Sequence, residues 1–378
     1  MNAVKQWFDR RRPEPGLVNH GPIGVYLTEE NLHLVQLQRR VEEGIVLRSH
    51  QFLQYPGSRK ELLASKAAMS KLLRRALRDG DFVGRKVVSA MPPEQVRVMS
   101  LSYPANATNS AANSIAKLMA DRVDGPLTDY VVDYVPTRTG SRDGDRLALV
   151  AVSRLEHANA YLDGLESAGL HVDYLEIGSL AIQRLIEFRP ATNDFENLII
   201  VNDGQATSHL TTISGNRLLA DQEIGFGAER VLNAIAGPLE LSIDVARDLV
   251  LTHGLDPQQR APDAGDSRFD AEVARTLVQI VRPAFMKLVR EIDRALLFAD
   301  SESQGDCEKK IIIVGEIAQW PGVAALLRSL TKLRVERLGL DHMPFATNPE
   351  LIGNINDRQA AEMSTAVGLA LRGMSTHE

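Results

Sequence analysis

Apolar and polar positions along the chain predict three strands followed by helices, and then the same order again in the second half. Ile23–Leu37, IGVYLTEENLHLVQL, reads as a strand, a short polar turn and a second strand with apolar Leu32, Leu34, Val35 and Leu37, and Gly44–Phe52 supplies a third. A helix is predicted over Glu61–Arg78, with Leu62, Leu63, Ala67, Leu72, Leu73, Ala76 and Leu77 turned to a core and Gly80 as its stop. Lys86–Ala90 and Gln95–Leu101 are strands, the second closed by Tyr103-Pro104. Ala111–Arg122 is a helix, Tyr130–Pro136 a strand, TRTGSRDGD a turn and Leu147–Val152 a strand. A helix in LEHANAYLDGLESAGL ends at Gly169, so that Arg85–Asp173 forms a compact α+β insert.

The second half opens as the first did. Leu198–Ile213 is strand, polar turn, strand, and Arg217–Ile224 continues as a third strand. Helices follow at Ala228–Ala236, after the turn Gly225-Phe-Gly227, and at Ser242–Thr252, where the serine is an N-cap. The run Ala271–Ala299 has apolar residues at helical spacing and Pro283 placed to kink it. Asp256–Arg268 is a polar, proline-containing loop, Lys310–Val314 a core strand, Pro321–Leu333 a helix entered through proline, and Asp357–Arg372 a capped last helix. The repeated strand-turn-strand implies two related halves on similar sheets, although the identity between them is too slight to prove duplication.

Composition narrows the class. With 378 residues the chain is too long for one ordinary core, and 44% hydrophobic with 24% charged residues fits a globular protein. A net charge of −6 gives no general pull toward nucleic acid. Cys307, the one cysteine, excludes an internal disulfide framework and fits a reducing compartment; in SQGDCEKK it reads as a bystander. No apolar run approaches the roughly 20 residues of a membrane span, so the chain is expected not to cross a bilayer. Its start, MNAVKQWFDRRRPEPG, lacks the apolar stretch of a secretory signal and reads as a mobile tail, with weak contact to an anionic membrane surface as the alternative.

The chemistry that stands out lies in IVNDGQATSHLTTISGN, Ile200–Asn216. A small, hydroxyl-bearing turn between strands can hold a phosphate with backbone N–H groups and a Thr hydroxyl, or simply join the strands. Gly204 and Thr207 carry both readings, as do Gly225 and Gly227, which serve equally as a strand-to-helix hinge. Asp203 has no second acidic residue or histidine at convincing metal spacing, and the nine histidines form no ligand pair. No P-loop, Gly-x-Ser-x-Gly or Gly-x-Gly-x-x-Gly occurs. KLLRRALR, Lys71–Arg78, is a basic helix face, solvated or turned to an anionic tail or membrane.

The order of these segments resembles the actin/Hsp70-like nucleotide-binding fold, and within it the PilM-type pilus assembly proteins. KVVSAMPPEQVRVMSLSYP (Lys86–Pro104), GLESAGLHVDYLEIGSLAIQRL (Gly164–Leu185) and STAVGLALRG (Ser364–Gly373) carry the resemblance, which extends from about Ile23 to Gly373. It implies an α/β, actin-like two-half fold of RNase H-like sheets with an inserted α+β subdomain. The implied division is a tail at 1–22, a first half at 23–84 and 174–196, the insert at 85–173, and a second half at 197–378, helical at about 228–305.

Against nucleotide-binding members the phosphate and base motifs depart. The first phosphate turn, Asp-x-Gly-Ser-Ser-Ser-like in the family, has Tyr26 and Thr28, followed by Glu29 and Glu30. The second, Asp-x-Gly-x-x-Thr-like, keeps Gly204 and Thr207 but has Asn202 with Asp203 one place on. The helix that would carry Glu and Lys beside the base has Arg247 and Val250, and the last, Gly-rich loop is Val314-Gly315-Glu316. The remnant nucleotide site is therefore expected at Gly204, Thr207, Gly225, Gly227 and Gly315, with no catalytic residue and no metal.

The resemblance implies a cytoplasmic scaffold of a type IV pilus or related secretion assembly, peripheral to the inner membrane. Its partner would be a bitopic, PilN-like membrane protein whose short cytoplasmic N-terminal segment binds in a groove beside the insert, around Ile23–Leu37 and Lys86–Leu101, by strand addition or in a pocket. Self-association is left open. No cofactor is expected. ATP with Mg²⁺, in a conformational switch or weak ATPase, is the alternative; a small-molecule kinase of the same superfold and a cytoplasmic part of a secretion-system membrane protein are further ones.

Overall fold

A computed structural model describes residues 19–40, 44–104, 110–138, 145–188, 196–215, 217–256, 267–302, 308–339, 343, 355 and 357–374. The N-terminal tail up to 18, Cys307, and most of the turn after Arg138 and of the loop after Asp256 lie outside the described residues. The described residues up to 188, with 363–374, form one compact unit; residues 196–339, with 357–362, form a second.

The first unit runs β1 (Asn19–Leu27), β2 (Asn31–Arg40), β3 (Gly44–Gln54), α1 (Arg59–Leu63), α2 (Lys66–Asp79), β4 (Lys86–Ala90), β5 (Arg97–Pro104), α3 (Ala111–Ala120), β6 (Tyr130–Arg138), β7 (Asp145–Arg154), α4 (Leu155–Ser167), β8 (His171–Glu176) and α5 (Gly178–Glu187). Its main sheet has the order β3-β2-β1-β4-β8, an antiparallel meander joined to two parallel strands. Leu32 and Leu34 of β2 face Leu73 and Ala76 of α2 and Leu165 of α4 in one apolar cluster. The insert contributes a separate sheet, β5-β7-β6, packed on Ile115 and Met119 of α3. The single helix predicted over Glu61–Arg78 is broken in two. Ser58 and Glu61 close a capping box on α1, and Ser65 restarts the chain by accepting the Ala68 N–H as N-cap of α2.

The second unit runs β9 (Glu196–Asp203), β10 (Ser208–Ser214), β11 (Arg217–Ile224), α6 (Ala228–Leu239), α7 (Ile243–His253), α8 (Ser267–Glu302), β12 (Glu308–Val314), α9 (Val323–Thr331) and β13 (Arg334–Arg337). Its sheet, β11-β10-β9-β12-β13, is again an antiparallel meander with two parallel strands added. The two halves thus share a topology that their sequences express only as a repeated pattern. Strand β13 escaped the sequence reading because four residues, RVER, offer too short an alternation.

The last helix, α10 (Asp357–Leu371), departs from the 197–378 span expected for the second half, because from Met363 onward it belongs to the first unit. The cause is steric. A Cβ at Gly24 would run into the Ala366 carbonyl, and one at Gly368 into the Ala181 carbonyl, so glycines let α10 lie directly on β1 and α5. Among the described residues no helix is long and apolar enough to cross a membrane.

Strand β2 buries polar groups as well as leucines. Gln36 donates to the Gly21 and Val83 carbonyls and accepts the Val83 N–H, which removes the cost of its burial. His33 is 2% exposed, edge-on to Phe52 at 5.1 Å. Burial, with a smaller push from His50, lowers its pKa from 6.5 to about 3. A histidine held neutral in the fold contributes stability above its unfolded pKa and loses it as pH falls through the window from 6.5 toward 3. Wild-type stability is expected to drop by about 1.4 kcal/mol per pH unit from this group over that window. In urea titrations from pH 7 to pH 4, His33→Leu should show a shallower decline; parallel curves for the two proteins would contradict this account.

Candidate functional site

The turn between β9 and β10 is closed by its own backbone. The Gly204 N–H donates to the Thr207 carbonyl at 3.0 Å. The Gly204 carbonyl then accepts the N–H of Ala228 at 3.0 Å, and the Gln205 carbonyl accepts that of Glu229 at 2.9 Å. Ala228 and Glu229 begin α6, so two of the donors that a helix start could offer to an anion are taken by the turn itself. Gly227 is needed here because a Cβ would collide with the Gln205 carbonyl and the Ala206 backbone. Gly225 is less constrained: a Cβ there would meet only the end of the Arg230 side chain, at 3.6 Å.

The remaining expected glycine belongs to the same corner. Gly315 has φ +108, and a Cβ would meet the Asp203 carbonyl and carboxylate at 2.5 Å. Asp203 caps the short 3-10 turn Ile317–Gln319, its carboxylate accepting the Ile317 N–H at 3.0 Å. Burial pushes the Asp203 carboxyl well up from its usual range. The Ile317 N–H resists that shift, the nearby Glu316 charge adds to it, and the N–H groups of Glu316 and Ala318 resist it further.

Glu316 and Arg247, each a separate departure when met in the sequence, meet across this corner. The Arg247 Nε donates to Glu316 Oε1 at 2.8 Å, and the Gln205 amide donates to Oε2 at 2.8 Å. Arg247 also reaches Asp244 at 3.2 Å. The ion pair is mostly covered, with side-chain exposures of 28% for Arg247 and 12% for Glu316. The sequence did carry a signal for it, complementary charges at two departed positions. What it lacked was the fold that brings α7 and the loop after β12 together.

The first-unit turn is likewise satisfied from within. The Thr28 N–H donates to the Asn31 carbonyl at 2.9 Å, and the Asn31 N–H donates to the Thr28 hydroxyl at 3.0 Å. The Tyr55 hydroxyl donates to the Thr28 carbonyl at 2.5 Å, and Arg59 holds the Leu27 carbonyl at 3.1 Å while pairing with Glu94 at 2.6 Å. Burial raises the Tyr55 hydroxyl above its ordinary pKa, which keeps it a donor.

The fold family implies a nucleotide with Mg²⁺ at these turns. A phosphate at the second turn would need N–H groups now spent on carbonyls, and would face the carboxylates of Asp203 and Glu316. The donor set does not fit, and no chemical step is routed through it.

A different feature lies elsewhere in the first unit. Met91, Val96, Val131, Leu149, Leu175 and Leu180 line an apolar groove enclosing about 570 Å³ of space open to solvent. Asp133, Tyr134 and Val135 of β6 also line it. Val131, Asp133 and Val135 alternate along one face of β6, and their partners across the ladder on β7, Ser153, Ala151 and Leu149, line the groove beside them, so the groove lies on the face of the insert's sheet turned away from α3. β6 is the outer strand of that sheet, bonded within it only to β7. Glu176 and Arg372 close the groove with charge. Glu176, 3% exposed, takes Arg184 at 2.8 and 3.0 Å and also pairs with Arg372, whose guanidinium lies 3.9 Å over the Tyr174 ring.

Met91 and Val96 of this groove fall within Lys86–Leu101, whereas the aliphatic residues Ile23, Val25, Leu27, Leu32 and Leu34 of Ile23–Leu37 are core residues, exposed by 3% or less. The contribution of β6, β7 and Arg372 to the groove was not legible in the sequence, because it depends on the insert packing beside the C-terminal helix.

A sequence profile described as type IV pilus assembly protein PilM matches residues 24–374. A solved structure of a PilM–PilN type IV pilus biogenesis complex superposes with a TM-score of 0.73 at 20% identity, covering 94% of this chain and 99% of that chain. The ethanolamine utilization protein EutJ from Carboxydothermus hydrogenoformans gives 0.52 at 12% identity, covering 95% and 91%. Both likenesses speak to an actin-like fold. No curated protein matches.

The coupling between Arg247 and Glu316 is open to measurement. Arg247→Met should destabilise the protein by roughly 1–2 kcal/mol by leaving Glu316 beside Asp203 without its cation. In a double-mutant cycle with Glu316→Gln, read by urea denaturation, the interaction energy should be on the order of 1 kcal/mol. Strict additivity would show that the pair only decorates the loop.

Proposed function

The chain belongs to the PilM family of type IV pilus assembly proteins, and from that membership we propose that it serves as a cytoplasmic, non-catalytic scaffold docking a short N-terminal segment of a bitopic, PilN-like inner-membrane protein. The observation that carries this reading is the apolar groove on the open face of the β5-β7-β6 sheet, walled by the end of β8 and by α5. A short segment laid there sets its apolar side chains against Met91, Val96, Val131, Leu175 and Leu180. Arg372 at one end of the groove is a donor for a carbonyl or carboxylate of the segment. The solved PilM–PilN complex of the same fold supports such a partner. Membrane association then comes through the partner.

The absence of catalysis is part of the proposal. Glu316 with Arg247, and the self-bonded turn at Gly204, occupy what a phosphate would need. The second reading, an ATP-binding switch or weak ATPase, draws on the surviving Gly204–Thr207 turn.

Two measurements test these statements. A labelled peptide of the partner's N-terminal segment should bind the intact chain, and Val131→Glu or Leu180→Glu should weaken it at least about tenfold, a cost of about 1.4 kcal/mol. Leu251→Glu, on the exposed face of α7, serves as the control and should leave binding unchanged. Equal effects of all three, or none, would remove the groove from the account. In calorimetry, ATP with Mg²⁺ at millimolar concentration should give no saturable heat and no rise in Tm. Saturable binding lost in Thr207→Ala would instead establish the switch.

A further inference from the structure

We propose that the outer face of α2 binds anionic phospholipid directly, a contact with the membrane surface that does not pass through the partner segment. The inner face of this helix, Met69, Leu73, Ala76 and Leu77, is buried in the first unit's core. Lys71, Arg74, Arg75 and Arg78 stand at i, i+3, i+4 and i+7, so they form one stripe on the opposite side, about 10 Å long. All four are exposed. The turn after the helix continues the charge with Arg85 and Lys86, both exposed, and leaves Val83 exposed just before them.

Charge is concentrated here and not averaged over the chain. Residues 71–86 hold the six cations Lys71, Arg74, Arg75, Arg78, Arg85 and Lys86 against two carboxylates, Asp79 and Asp81; this is a net +4 in a chain of −6, so the other residues sum to −10. Both carboxylates are engaged at the rim. Asp79 lies 3.4 Å from Arg75 and 3.3 Å from Arg78, and Asp81 lies 2.7 Å from Arg48. Arg75 and Arg78 keep 62% and 77% of their side chains exposed, so these pairs leave the guanidinium groups open to solvent and to another anion. Arg74 donates to the Ser167 carbonyl, which ties α2 to the end of α4, where Glu166 is the exposed acid.

Three arginines and a lysine on a convex ridge suit a plane of phosphates. Guanidinium groups take phosphate oxygens in pairs, and their aliphatic stems lie along apolar surface. The crest of a helix has no walls with which to select one acidic polypeptide. Each basic residue near an anionic leaflet strengthens attachment about fivefold. A stripe of four therefore gives a weak, salt-sensitive contact that adds to an anchored partner in the manner of a second site.

Vesicles of phosphatidylglycerol and phosphatidylcholine, at about one to one, should carry the intact chain into the pellet at low salt. Phosphatidylcholine alone should leave it in solution, and raising salt from about 0.05 M to about 0.5 M should release it. Lys71→Gln combined with Arg75→Gln and Arg78→Gln should lower the partition constant at least about tenfold, with urea denaturation confirming an intact fold. Arg282→Gln, Lys287→Gln and Arg290→Gln together remove the same charge from exposed positions of α8 and should change it less than about twofold. No pelleting with the anionic vesicles overturns the proposal, as does equal loss in the two triple variants or equal binding to phosphatidylcholine. Soluble polyglutamate binding the wild type but not the α2 variant, while vesicles bind neither, would assign the face to an acidic polypeptide and overturn it equally. No partner peptide is present, so the outcome is read separately from that of the groove.

Discussion

A glutamate placed beside a buried aspartate at the end of a strand needs a cation, and Arg247 supplies it. The remainder of this corner follows from that requirement. Glu316 is drawn to α7 by Arg247 and to the β9–β10 turn by Gln205, so three separate segments are tied at one carboxylate. Asp203, left facing Glu316, keeps its place by accepting N–H groups of the turn that begins at Glu316. Without the arginine, the Glu316 carboxylate would lose its cation in a poorly hydrated space beside Asp203, whose own carboxyl is already pushed toward the protonated form by burial. The two positions are therefore better read as one unit, a cation and a carboxylate that satisfy each other within the fold.

The glycines make the same point from the side of packing. Gly227 and Gly315 look like phosphate-loop glycines because both let backbone come close to something. In each case that something is the protein: the Gln205 carbonyl for one, the Asp203 main chain and carboxylate for the other. Gly24 and Gly368 do likewise for the last helix. Close approach of backbone to backbone and of backbone to phosphate leave identical marks in a sequence, and only the identity of the neighbour separates them.

That limit explains what was legible. The strand-turn-strand starts, the insert, the capped helices and the order of the halves follow from periodicity and turn chemistry, which are local, and they were readable down to strands such as Lys86–Ala90 and Arg217–Ile224. The break at Ser65 was also local and could have been read from the serine before Lys66. The convergence of Gly204, Thr207, Gly227 and Gly315 on one corner was predictable from the fold resemblance. The Arg247–Glu316 pair was not, because 69 residues separate its partners and each charge taken alone looked like a loss. The groove was harder still, since its walls come from β6, β7, the end of β8, α5 and Arg372, which only the fold brings together.

The proposed scaffold role places function at a surface. On that reading an actin-like fold whose turns are bonded to themselves draws no ligand energy there to choose between conformations. The described surface that this role rests on is the apolar groove on the open face of the insert's sheet. It offers apolar contact, with Glu176 and Arg372 among its lining to set register, and requires no reacting group. A chain that holds one short segment there, as proposed, has the properties of an assembly part.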